Sequence, residues 1–136
     1  MQIRARKFAS ALAVVGFLSL ALPAAALAVF GAIAVNPNDG VWGKSWNYPT
    51  KTGAENRALN ECRSAPGGGS ACRGVIWVSN ECGAVYENAS RTKFYYGFAH
   101  TKEAAKNKVQ ERWPDAHYIA AVCANGRSHN AAAAHS

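Results

Sequence analysis

Gly31-Ala32-Ile33-Ala34 and Gly83-Ala84-Val85-Tyr86 are one strand start written twice, at an offset of 52 residues. Each opens an apolar, strand-like run that stops at an asparagine turn: Asn36-Pro37-Asn38-Asp39-Gly40 in the first copy and Asn88-Ala89-Ser90 in the second. An aromatic strand follows each turn, Trp42-Gly43-Lys44-Ser45-Trp46-Asn47-Tyr48 and then Phe94-Tyr95-Tyr96-Gly97-Phe98. Alternation along a strand places Trp42, Trp46 and Tyr48 on one face with Lys44 as the polar exception, and it groups Phe94, Tyr96 and Phe98.

The copies continue through a helix. Thr50 to Ala58 aligns with Thr101 to Val109 at an offset of 51, and each threonine is placed to cap the first turn by accepting from an orphan amide. Ala54, Ala58 and Cys62 recur at helical spacing, as do Ala105, Val109 and Trp113, giving each helix one apolar stripe. Pro66 with Gly67-Gly68-Gly69 ends the first helical region, and Pro114 ends the second. Gly74 to Val78 and Tyr118 to Val122 then read as closing strands. The order is β-β-α-β, twice. Neither half has enough strands to cover both its helix and its sheet, so the reading is an α+β domain of two pseudo-symmetric repeats, about 30–80 and 82–124, packed as one unit over 29–124.

The start of the chain has a different character. Arg4, Arg6 and Lys7 precede an apolar run from Phe8 to Leu22, Pro23 breaks it, and Ala26-Leu27-Ala28 offers small residues at a cleavage site. This predicts a signal peptide over 1–28 and a secreted or periplasmic location, with an uncleaved anchor as the rival. Residues 125–136 show no strand or capped-helix pattern and are expected to form a disordered tail.

Cys62, Cys72, Cys82 and Cys123 all lie in the exported part, and an even count there reads as two disulfides. Spacings of 10, 10 and 41 do not match the two close pairs of a structural zinc site, and there is no C-x-x-C. The topology suggests the pairing. Cys62 ends the first helix and Cys72 begins the next strand, while Cys82 and Cys123 sit where the edges of two strands can meet. Loop-closure entropy gives about 3 kcal/mol for the short loop and about 4 kcal/mol for the long one.

These residues, from Gly31-Ala32-Ile33-Ala34 through Trp42-Gly43-x-Ser45, Tyr48-Pro49-Thr50 and Cys62, Cys72 and Cys82-Gly83-Ala84 to Cys123, resemble the domain-of-unknown-function family DUF4189. The likeness spans about Phe30 to Ala124. It implies a small exported bacterial protein of the mycobacterial type, with no enzymatic activity established for the family. The Pro66 to Ser70 segment between the first two cysteines looks like a local departure.

A search for chemistry returns little. Oxidised cysteines are not nucleophiles. His100 and His117 stand at element entries, while His129 and His135 lie in the tail. Glu55 and Glu61 face outward, Glu103 is spaced to pair with Lys106, and Gly67-Gly68-Gly69 lacks the lysine and hydroxyl of a phosphate loop. No catalytic residue, metal site or cofactor is assigned.

Two surfaces could bind: the aromatic strands, Trp42 and Trp46 first, and a basic helix face of Lys102, Lys106, Lys108 and Arg112. The formal charge of +7 falls to +4 without Arg4, Arg6 and Lys7, which permits only weak attraction to anions. The expectation is a non-enzymatic exported module for a protein or envelope partner, with no specific nucleic acid and no membrane anchor after cleavage. The alternatives are an envelope hydrolase, an inhibitor of one acting through Ser64 to Ala71, and an anionic-surface binder acting through the second helix.

Overall fold

The computed structural model describes residues 28–125. The signal peptide and the tail expected from the sequence lie outside these residues, save for Ala28 and Asn125. The strands are β1 (Phe30–Val35), β2 (Trp42–Tyr48), β3 (Arg73–Ser79), β4 (Cys82–Glu87), β5 (Phe94–Ala99) and β6 (His117–Cys123). The helices are α1 (Lys51–Ser64) and α2 (Lys102–Arg112), with a 3-10 turn at Gly69–Ala71. The β-β-α-β order is therefore present twice. Each half makes a three-stranded antiparallel sheet around its first strand, in the orders β2-β1-β3 and β5-β4-β6.

Alternation sorts each central strand between two neighbours. Ala32 and Ala34 pack with Ala54, Ala58 and Cys62 under α1, whereas Ile33 and Val35 turn to the opposite face. Ala84 and Tyr86 likewise pack with Ala105 and Val109 under α2, and Val85 turns away. Ile33, Val35, Ile76 and Val78 meet Val85, Ile119 and Val122 in one shared core between the sheets. The layers run helix, sheet, sheet, helix. Small residues line the face under α1, where the helix sits close on its sheet, while Tyr86 takes part of the face under α2.

The repeat explains the helix entries. Thr50 Oγ1 accepts from Gly53 N at 3.0 Å and Thr101 Oγ1 from Ala104 N at 3.1 Å, so both predicted caps are formed. Ser45 and Gly97 occupy equivalent places, opposite Ala32 and Ala84. In the first half the Ser45 hydroxyl donates to Ala54 O at 2.6 Å. In the second, a Cβ on Gly97 would stand 2.6 Å from Ala105 O, so only glycine lets α2 sit there.

Both disulfides form as the topology suggests, Cys62 to Cys72 and Cys82 to Cys123. They are not related by the repeat. Cys82 and Cys123 are direct cross-strand partners on β4 and β6, while Cys62 ties the end of α1 to the entry of β3. Where α1 ends in its disulfide, α2 ends in Trp113, stacked on Tyr95 with centroids 4.6 Å apart.

The turns join the halves. Asn36 is buried, accepts from Asn38 N at 2.9 Å and donates to Gly68 O at 2.7 Å, pinning the glycine-rich segment. Arg91 reaches across to Asn38 O at 3.2 Å and pairs with the buried Glu87 at 3.4 Å.

Two expectations are corrected. Tyr48 does not share the face of Trp42 and Trp46. The register shifts by one residue between Phe30↔Tyr48 and Ala32↔Ser45, and Asn47 takes φ 58° in the resulting bulge. That extra residue turns Tyr48 onto the α1 side, where it packs against the cluster of Ala32, Ala34, Ala54 and Ala58. Lys106 does not pair with Glu103; its ammonium lies 4.8 Å from the Tyr118 ring centroid, where the ring quadrupole attracts it.

Gly97→Ala should destabilise the protein by about 1–3 kcal/mol, because the clash is with helix backbone that cannot rotate away. Urea denaturation checks this, and an unchanged midpoint would contradict the seating described for α2.

Candidate functional site

β2 is an outer strand, so one of its edges has no strand beside it. A groove of about 580 Å³ follows that edge, lined by Trp42, Lys44, Trp46, Arg57 and Glu61 among others. The strand supplies one wall and α1 the other. Trp42 is 39% exposed, whereas Trp46 is half-buried and packs against the shared core. On α1, Arg57 and Glu61 form an ion pair one helical turn apart.

Lys44 stands between the tryptophans. Its ammonium lies 5.4 Å from the Trp42 ring centroid and donates to Ala121 O of β6 at 3.4 Å, so it spans from one sheet to the other. Burial, and secondarily the positive charge of Lys102 on α2, hold Lys44 below the ordinary lysine range. Two like charges acting on one another beside an aromatic groove make this edge attractive to an anion.

The sequence candidates part company here. Trp42 and Trp46 line the groove, and Lys102 contributes its field through Lys44. Lys106, Lys108 and Arg112 do not join them. Lys108 donates to Phe98 O at 2.8 Å, Lys106 covers Tyr118 and Arg112 covers Trp113 at 5.0 Å. The basic run on α2 is thus spread over three local tasks rather than presented as one face. Lys44, the polar exception on its strand, is flanked by tryptophans at i−2 and i+2 and so shares their face. Arg57 and Glu61 belong to the groove through the closeness of α1 to β2, which has no local sequence signal.

A second hollow of about 320 Å³ lies where the outer strands β3 and β5 approach, with Trp77 43% and Tyr96 53% exposed. Lys51 covers Trp77 at 4.4 Å. Near α2, burial and Glu103 raise the Tyr86 hydroxyl, and burial and Tyr86 raise that of Tyr118. Among the described residues, no group of three or more His, Cys, Asp or Glu side chains is placed to hold a metal ion, and no helix is long and apolar enough to cross a membrane.

The family model for the domain of unknown function DUF4189 matches residues 30–130. The chain belongs to the DUF4189 family. The β2 groove and both disulfides therefore fall within the family segment. Among curated proteins, Rv1269c of Mycobacterium tuberculosis and Mb1300c of Mycobacterium bovis are each 45% identical over 60 residues, which is 44% of this chain. The match spans 43% of the length of those relatives. The NMR structure of Rv1813c from Mycobacterium tuberculosis is similar to this DUF4189 fold with a TM-score of 0.52 and 27% identity, covering 90% of this chain and 99% of that one.

Replacing Lys102 with glutamine should raise the titration midpoint of Lys44 toward that of an exposed lysine, followed by NMR of the side-chain amine. A midpoint that does not move would show that Lys102 exerts no field on the groove.

Proposed function

We propose that this protein is an exported, disulfide-stapled binding module without catalytic activity of its own, and that the β2 groove receives a protein partner in or beyond the cell envelope. The observation that carries this reading is the grouping of Trp42, Lys44 and Trp46 along one strand edge with Arg57 opposite. Aromatic side chains beside cations supply contact area, orientation and charge selectivity, the ingredients of recognition. The acid that lines the groove, Glu61, is engaged by Arg57, and the hydroxyl of the groove's Ser45 is committed to Ala54 O, so neither is free for acid–base or nucleophilic work. Two disulfides suit an oxidising compartment, in keeping with the basic and apolar start of the chain.

One further observation favours inhibition of an envelope hydrolase as a second reading. The segment closed by Cys62 to Cys72 is clamped by Asn36 at Gly67 O and Gly68 O, which leaves Gly69 and Ser70 exposed on a held loop. A rigid exposed loop is the form an inhibitor presents, because little ordering entropy remains to be lost on binding.

Affinity capture with the oxidised protein from bacterial envelope and culture fractions tests both. The expected result is a partner retained by the natural protein, lost with Trp42→Ala or Lys44→Glu, and insensitive to Ser70→Trp. Loss with Ser70→Trp alone would favour the inhibitory loop. A hydrolytic activity abolished by changing one acid or histidine would overturn the non-enzymatic reading.

A further inference from the structure

The groove takes residues from both faces of β2. Trp42, Lys44 and Trp46 point to one side and Gly43 and Ser45 to the other, yet all five line it. A cavity lined by consecutive residues of one strand follows its edge rather than a face, since neighbouring side chains point in opposite directions. The edge of an outer strand offers backbone amides and carbonyls in a row, a template for another strand.

The other sheet treats its outer strands differently. Lys108 donates to Phe98 O on β5, and Lys44 itself donates to Ala121 O on β6. Natural sheets use lysine in this way to blunt an edge. On β2 the lysine turns instead toward Trp42 and the opposite sheet, and a volume of about 580 Å³ lies along the strand beside the Arg57 and Glu61 side chains of α1.

We infer that this groove binds an extended acidic segment of a partner protein, added as a further strand on the Trp42 to Trp46 edge of β2. The inference rests on the binding-module reading and names the class of partner. The bulge at Asn47 bounds the usable edge at one end and the β1–β2 turn bounds it at the other. Main-chain hydrogen bonds would provide affinity, and alternate side chains would provide selectivity. One set meets Trp42, Lys44 and Trp46, where apolar groups cover the rings and a carboxylate meets Lys44. The other set meets α1 at Arg57. Of the charged groups lining the groove, Lys44 and Arg57 are positive and Glu61 is negative, already paired with Arg57, while Lys102 adds its positive charge at Lys44. The same charges disfavour edge-to-edge pairing with a second copy, which would bring one Lys44 toward another. A carboxylate beside Lys44 would also return its depressed titration upward.

The test is a display selection on the oxidised full chain with short peptides that alternate Glu or Asp with Val, Ile or Thr, beside a matched library carrying Lys in place of the acids. The acidic library should be enriched. Amide hydrogen exchange of a selected peptide complex should show new protection at Trp42 and Lys44, whose amides face away from β1, since Asn36 pairs with Val41 and the ladder alternates from there. N-methylation of alternate peptide amides should weaken binding by about tenfold or more, and Lys44→Glu should reverse the preference toward the basic library. Equal binding of the N-methylated peptide, protection mapping to β3 and β5 instead, or dimerisation through β2 would each overturn the inference. Selection of neither library, with binding only to vesicles containing phosphatidylglycerol, would overturn it as well. If envelope capture depends on Trp42 while no peptide adds to the β2 edge, the strand inference falls and the binding-module reading stands.

Discussion

Two three-stranded sheets each have one face that α1 or α2 covers and one face that only the other sheet can cover. That mutual burial is the constraint on which the molecule depends. Ile33, Val35 and Val78 from the first half, with Val85 and Val122 from the second, lie at 3% exposure or less. Fully burying an aliphatic side chain of this kind is worth about 1.5–3 kcal/mol, so a few such residues equal the whole margin of a small domain. Neither half retains that contribution without its partner. The Gly31 and Gly83 that open the repeated motif face this interface, where a Cβ would come within 3.2 Å of Val122 Cγ2 or 2.7 Å of Ile76 Cδ1.

The halves share a plan and differ in their fastenings, and the groove lies where they differ. At the end of α1 a disulfide replaces the Tyr95–Trp113 stack that closes α2 on its sheet. Gly43 stands where Tyr95 stands in the second half, since the two face Ala34 and Tyr86 at corresponding register positions. The stacked rings occupy the second site, and Lys108 closes the nearby carbonyl of Phe98. In the first half α1 itself fills the corresponding place, since a Cβ on Gly43 would clash with Cys62 N and Ala58 O of the helix backbone, and a groove runs along the edge of β2. The repeat has diverged in how each helix is seated on its sheet, by direct backbone contact at Gly43 and by stacked rings at Tyr95.

Most of the architecture was legible because it is written in local periodicity. Thr50 and Thr101 announce their helices, the Ala stripes announce which face is buried, and the positions of the cysteines at element ends restrict their pairing. The bulge was not legible, because strict alternation treats every residue of β2 alike and Asn47 carries no mark beyond its tolerance of a left-handed backbone. The local contacts of the basic residues on α2 were not legible for another reason. Helical spacing says which side chains are neighbours on the helix, but not that β5 and the rings of Tyr118 and Trp113 engage Lys108, Lys106 and Arg112 separately. The groove itself is a tertiary product of β2, α1 and the charge of Lys102; its aromatic members Trp42, Trp46 and Tyr48 are legible in the sequence, whereas the approach of Arg57 and Glu61 is not.

The central claim is that the two halves are stable only against each other. Native-state amide hydrogen exchange tests it most directly, comparing Ile33 and Val35 on β1 with Val85 on β4. The account predicts that these amides exchange through one common opening, with equal free energies and equal denaturant dependence. A β1 that opens while β4 remains protected, or the reverse, would contradict it.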